Sequence, residues 1–243
     1  MVTLGPCQSR HFERVLLYSS LSHAPPQEGM GTMGMIRYFQ ACATCKYTNR
    51  ITLDVMGIQR IPAEVLSYTR LTAMSFVGNG MKEIPSEIGF FRYLKNFNLR
   101  GNKLAQLPES FGNLESLTSL DVSYNEFAQF PPYICKLTSL TSLNAAHCKL
   151  IALHDMMGQM GRLETLELHH NAILDLPTAL AKMPSLRILD VRYNKLSEMR
   201  SYHDCPKLSV RCISYHHHRD HRVYLGIVAF LCGFIFVVVF SVD

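Results

Sequence analysis

Little of this 243-residue chain is charged: Asp, Glu, Lys and Arg make up 18% of it, and the net charge is only +5. The basic residues are scattered, so no basic stripe exists to neutralise successive phosphates, and no nucleic-acid partner is expected. A hydrophobic share of 48% sets bulk disorder aside and allows one substantial core. Ten asparagines supply no Asn-x-Ser/Thr acceptor, and the first 26 residues hold only the short apolar run Val15-Leu16-Leu17-Tyr18, too little for a secretory signal. Eight cysteines, at 7, 42, 45, 135, 148, 205, 212 and 232, form no dense framework and read as reduced thiols. Nowhere do a nucleophile, a base and an orienting group share a local signature, so neither an enzyme nor a cofactor is expected.

What is present is a repeat. Leucines recur at 71, 94, 117, 140, 163 and 186, an interval of 23 residues five times running, and Leu208 follows after 22. Each unit repeats an internal pattern, as in Leu94-x-x-Phe97-x-Leu99-x-x-Asn102-x-Leu104 and Leu163-x-x-Leu166-x-Leu168-x-x-Asn171-x-Ile173. The alternation over its first residues predicts a short strand with one buried face. Asn79, Asn102, Asn125, Asn171 and Asn194 fall where the chain leaves that strand, and an amide there can satisfy backbone donors and acceptors, which predicts an inward asparagine ladder. Cys148 takes that place in one unit.

The second half of each unit carries a proline: Pro85, Pro108, Pro131 and Pro177. Proline suits the opening of a helical turn, and the apolar pairs Ile88 and Phe91, Phe111 and Leu114, Ile134 and Leu137 should then face the core. His154 replaces proline in the unit from 140 to 162, with Met157 and Met160 behind it, which predicts the loosest repeat.

These residues define a leucine-rich-repeat solenoid of the α/β class: a curved parallel sheet on the concave face, short helical turns on the convex face, and a C-terminal apolar helix. Residues 1–49 are expected to be a flexible leader and N-terminal cap. The solenoid then runs over 50–207, a basic and histidine-rich linker over 208–222, and a tail anchor over 223–242. The 23-residue period with its leucine-proline steps resembles the intracellular Ras-group leucine-rich-repeat proteins, including the Ras-suppressor and Scribble types, over about two thirds of the chain. The resemblance implies a signalling scaffold or regulatory subunit whose solenoid engages a small GTPase, phosphatase or kinase.

With this register the third, fifth, seventh and eighth positions of each unit face solvent on the concave side. The candidate protein-binding residues are Asn98, Arg100, Asp121, Tyr124, Asn144, His147, Glu167, His169, His170, Asp190, Arg192 and Tyr193. Tyr124, His147, His170 and Tyr193 occupy one column in four consecutive units, and aromatic and arginine side chains concentrate energy at interfaces. The histidines with Glu167 can also be read as a metal site, but His169 and His170 are consecutive and lack an evident second shell, so no metal is expected.

Two other strings look like chemistry. Gly29-Met30-Gly31-Thr32-Met33-Gly34 has the spacing of a dinucleotide fingerprint, yet Pro25-Pro26 stands where a strand should end, so it reads as leader. Cys42-Ala43-Thr44-Cys45 is half a zinc or redox motif and reads as part of the cap. Residues 223–242 carry no charge, and as a helix would span about 30 Å, enough for a hydrocarbon core. Arg211, Arg219 and Arg222 precede them, which favours a tail-anchored protein with its solenoid in the cytosol. A soluble cytoplasmic regulatory subunit, with the tail packed or spurious, is the alternative. A receptor ectodomain would need a signal peptide and disulfide-bonded caps.

Overall fold

The computed structural model describes residues 31–196 and the backbone of three further strands, at 212–217, 223–231 and 234–242. Seven parallel strands form one sheet in sequence order: β1 (Arg50–Thr52), β2 (Ala73–Ser75), β3 (Asn96–Asn98), β4 (Ser119–Asp121), β5 (Ser142–Asn144), β6 (Thr165–Glu167) and β7 (Ile188–Asp190). Each residue pairs with its counterpart 23 positions on, Arg50 with Ala73 and Ala73 with Asn96, so the sequence repeat is itself the strand register. The regular strands are three residues long, and backbone hydrogen bonds between neighbouring units continue past them, from the sixth-position amide to the fifth-position carbonyl and from the eighth-position amide to the seventh-position carbonyl of the next unit.

Each of the first six strands returns over the opposite face through a short helical turn. The first is α-helical, at Ala63–Ser67, and the next five are 3₁₀ turns at Ser86–Phe90, Glu109–Asn113, Pro132–Lys136, Asp155–Gln159 and Thr178–Lys182. Proline opens four of the five with φ between −64° and −72°, the value its ring fixes. Behind each proline the predicted pairs, Ile88 with Phe91, Phe111 with Leu114 and Ile134 with Leu137, are wholly buried. The turns stack tightly. A Cβ at Gly89 would stand 2.8 Å from the Ser110 Cβ, closer than two carbons approach, which is why this position carries no side chain.

The repeat with His154, expected to be the loosest, is closed at its core. Met157 and Met160 are wholly buried, and the His154 Nδ1 accepts a hydrogen bond from the Met156 amide at 3.1 Å. A side-chain cap thus replaces the fixed φ of proline, and the flexible methionines fill the space behind it.

The asparagine ladder is as expected. The Oδ1 of Asn125 accepts from the Leu104 amide (2.9 Å) while its Nδ2 donates to the carbonyls of Leu99 (3.0 Å) and Val122 (2.9 Å). Asn102, Asn171 and Asn194 repeat this three-way clamp between neighbouring units. At Cys148 the buried thiol donates to the Val122 carbonyl at 3.4 Å, standing in for one arm of the amide. A thiol is a weak acceptor, so the arm that takes a backbone N–H is largely lost. Cys148→Asn is therefore expected to raise the unfolding free energy by about 1 kcal/mol, read from the urea midpoint at unchanged slope.

At the N-terminal end a helix, α1 (Thr32–Thr48), closes the solenoid. Tyr38, Cys42 and Cys45 lie on one stripe and are buried, and Asn49 ends the helix in the left-handed region (φ 53°) with its amide on the Cys45 carbonyl. The Glu64 carboxylate accepts from Tyr38 (3.3 Å) and Tyr68 (2.9 Å), tying α1 to the first return turn. Gly31 and Gly34 of the glycine string therefore belong to the start of a capping helix; the preceding residues lie outside those described. Burial pushes the Cys42 thiol up to about 12 and raises Cys45 as well, the state of packed and unreactive thiols.

The C-terminal apolar segment differs from its expectation. In place of one helix, β9 (Val223–Leu231) and β10 (Phe234–Val242) pair antiparallel, and β9 also pairs with β8 (Cys212–His217). The run is rich in valine, isoleucine and phenylalanine and contains Gly226; β-branched and aromatic residues favour extended backbone, and glycine weakens a helix. Among the described residues no helix is long and apolar enough to cross a membrane. Leu208 of the leucine series, the arginines at 211, 219 and 222, and the leader before residue 31 lie outside the described residues.

Candidate functional site

The third, fifth, seventh and eighth positions all line the concave surface, and the last three of these columns shape the candidate site. The fifth position of the unit carries Asn98, Asp121, Asn144, Glu167 and Asp190. Four of these shape the local backbone. The side-chain oxygens of Asn98, Asp121, Asn144 and Asp190 accept the amide two residues on, at Arg100, Ser123, Ala146 and Arg192, at 2.9–3.1 Å. Such Asx turns bend the chain out of the strand. Glu167, one methylene longer, reaches sideways to the Asn144 amide at 2.8 Å.

The seventh position is not uniformly open to solvent, in contrast to the sequence expectation. Ser123 and Ala146 are buried there, while Arg100, His169 and Arg192 project. Asp190 is also more enclosed than expected, because Arg192 folds over it with a forked contact, Nε to Oδ1 at 2.9 Å and Nη2 to Oδ2 at 2.6 Å. Burial alone would raise the Asp190 carboxyl, but these bonds override it and hold the group below the usual carboxylate value. His169 Nδ1 lies 3.3 Å from Asp190 Oδ2 but off the line that a hydrogen bond needs, so the contact is electrostatic and the nitrogen is buried without a hydrogen-bond partner.

The eighth position is the distinctive one. Val55, Gly78, Gly101, Tyr124, His147, His170 and Tyr193 all have positive φ, between 51° and 69°. Each of the first six donates its amide to the seventh-position carbonyl of the next unit, for example Tyr124 to Ala146 and His147 to His169 at 2.9 Å, so the turn is fixed by the sheet. The last four side chains form a continuous stack. Ring centroids are 4.2 Å apart from Tyr124 to His147, 4.2 Å from His147 to His170 and 4.1 Å from His170 to Tyr193, with interplanar angles of 12–17°. The Arg100 guanidinium covers the outer face of Tyr124 at 4.5 Å. Tyr124 and Tyr193 remain 43% and 47% exposed, so the stack is a surface and not a core.

His147 sits in the middle of this stack, and burial together with His170, His169 and Arg100 lowers its pKa from the usual 6.5. The folded protein then holds the neutral ring where the unfolded chain takes up a proton. Stability is therefore full above about pH 6.5 and is lost as pH falls from there toward the lowered value. Thermal unfolding between pH 7.5 and 5 is expected to show this decline, and His147→Gln to reduce it. Among the described residues no group of three or more His, Cys, Asp or Glu side chains could hold a metal ion. Face-to-face imidazoles also keep their nitrogen lone pairs in nearly parallel planes, which do not converge on one ion.

Of the predicted residues, the structure brings Arg100, Tyr124, His147, His169, His170, Asp190, Arg192 and Tyr193 into one connected surface. Asn98, Asp121 and Asn144 lie beside it in their turn-forming role. A parallel sheet wound one repeat at a time, with a repeated asparagine clamp and an open concave face, defines a solenoid protein of the interaction type. Residues 86–214 match the family described as leucine-rich repeat region, and the chain belongs to that family.

Two solved structures agree with the fold. An internalin C2 of Listeria monocytogenes is similar with a TM-score of 0.56 at 16% identity, over 70% of this chain and 83% of that one. A second Listeria monocytogenes internalin is similar with a TM-score of 0.51 at 21% identity, over 61% and 49%. A leucine-rich-repeat protein of Leptospira interrogans matches with a TM-score of 0.49 at 22% identity, over 69% and 56%. This chain thus spans about half the length of the latter two. No curated protein matches the chain.

Proposed function

We propose that this chain is a non-enzymatic scaffold or adaptor in intracellular signalling that holds a protein partner against the ring stack of its concave face. Leucine-rich-repeat proteins generally act by binding other proteins, and one observation supports placing the contact here. At the eighth position glycine serves the fold without strain, as Gly78 and Gly101 do, yet four consecutive units carry a tyrosine or histidine in the left-handed region. A side chain there costs about 1–2 kcal/mol. Stacking offsets much of that cost without explaining why rings are present.

The class of partner, a small GTPase, phosphatase or kinase, follows from the Ras-group resemblance. Alanine at Tyr124 and Tyr193 together is expected to abolish capture of the main partner from cell extract, with the solenoid still folded. Unchanged capture overturns the assignment. Membrane association, with the solenoid on the cytosolic side, is supported by the uncharged run at 223–242 and the arginines before it. Extraction of membranes with alkaline carbonate separates this from a soluble regulatory subunit, which would be released in full.

A further inference from the structure

The two arginines that project from the seventh column differ in their pairing. Arg192 is neutralised by the forked contact with Asp190. Arg100 stands over the Tyr124 ring with its guanidinium carbon 4.5 Å from the centroid, and among the described residues no carboxylate bridges it. A guanidinium anchored on a ring in this way still has N–H donors to offer, and a pair of them can take a carboxylate through two parallel hydrogen bonds.

The ground around it is low. Beyond Arg100 the eighth column drops to Gly101 and Gly78, and the adjoining depression at the N-terminal end of the sheet is lined by Arg50, Ala73, Ser75, Asn98 and Asp121 among others. The two acids in this region each engage one carboxylate oxygen with the protein itself. Asp54 Oδ1 accepts from the Ser75 hydroxyl (2.6 Å) and the Val77 amide (2.8 Å), and Asp121 Oδ1 from the Ser123 hydroxyl (2.6 Å) and amide (2.9 Å). Arg50, exposed at the start of β1, is bridged by no carboxylate among the described residues either. The N-terminal end of the concave face therefore presents two arginines without a carboxylate bridge, while each acid there is partly engaged by hydroxyl and amide donors of the protein.

We propose that Arg100, anchored over Tyr124, is the docking point for a carboxylate of the partner, and that an acidic segment of the partner lies across the depression from Arg100 to Arg50. This rests on the concave face being the binding surface and adds the chemistry and polarity of what binds: acidic over β1–β4, with the ring stack taking the segment that follows.

The test uses the full chain and two labelled probes of matched length, a random copolymer of glutamate and tyrosine and one of lysine and tyrosine, read by fluorescence anisotropy. The glutamate copolymer is expected to bind and the lysine copolymer to bind at least tenfold more weakly. Arg100→Gln should weaken the glutamate copolymer tenfold or more. Arg100→Lys should recover less than a third of that loss, since an ammonium keeps the charge without the fork. Arg162→Gln, an equal change of charge at an exposed position outside the concave columns, should stay within twofold. Equal loss in the Arg162 variant, full recovery by lysine, preference for the lysine copolymer, or no binding of either copolymer each overturns the proposal. If the copolymers fail while the Tyr124 and Tyr193 pair still governs capture of the main partner, the binding surface stands and only the acidic-segment assignment falls.

Discussion

Asn125→Ala is expected to lower the unfolding free energy by about 3–5 kcal/mol, the largest effect of any single substitution considered for this chain. The amide of Asn125 is the meeting point of three backbone groups: the N–H of Leu104 and the carbonyls of Leu99 and Val122. All three belong to buried residues, and Asn125 itself is 4% exposed. A methyl group in its place leaves a donor and two acceptors inside an apolar layer, each at a cost of about 1–3 kcal/mol, with some relief from the sharing of carbonyls between clamps. Asn125→Cys should fall between alanine and the parent, because the thiol at Cys148 keeps one arm of the same clamp. Asn96→Ala, at an exposed position of the neighbouring strand, should stay within about 0.5 kcal/mol. Urea unfolding followed by far-ultraviolet circular dichroism ranks the three. A result in which Asn96 and Asn125 cost the same would remove the clamp as the main tie between repeats.

The second large effect is on binding. Loss of both tyrosines from the ring stack is expected to weaken the main partner at least a hundredfold, because aromatic residues at the centre of an interface often contribute about 2 kcal/mol or more each. The choice of replacement separates binding from folding. Alanine keeps the left-handed backbone cost and forfeits the stacking, so the Ala pair should be less stable by about 1–3 kcal/mol. Glycine forfeits the same stacking and relieves the backbone, as at Gly78 and Gly101, so the Gly pair should lie within about 1 kcal/mol of the parent. Both pairs should lose the partner alike. Capture that followed stability, recovering in the Gly pair, would mean that the rings serve the fold.

The sequence carried most of this architecture in plain view. A period of 23 residues is a statement about strand register, and the strands pair with that offset throughout. The clamp asparagines and the buried pairs behind each proline follow from the same spacing. The concave site was legible as a set of residues but not as a geometry. Periodicity places Tyr124 and His147 in one column, yet it treats the seventh and eighth positions as strand. The signal to the contrary was Gly78 and Gly101, two glycines in the very column that later holds rings, which mark a turn with positive φ. The engagement of Asn98 and Asp121 in turns was hidden because an exposed asparagine and a turn-forming one look alike in a sequence. At 223–242 hydropathy favours a membrane-length helix and β-branched content favours strands, and the backbone there is extended.

Neighbouring strands of a sheet stand about 4.8 Å apart, whereas the rings above them are 4.1–4.2 Å apart and each is rotated by 12–17° from the last. Side chains closer together than the backbones that carry them are the inner course of an arch. Rings have a fixed thickness of about 3.5 Å, so the arch can tighten by only a little before its stones meet, while flattening it opens every joint at once. Four side chains at the inner rim thus leave little room for the curve to close further in this half of the molecule, and a partner seated on them meets the arc as it stands.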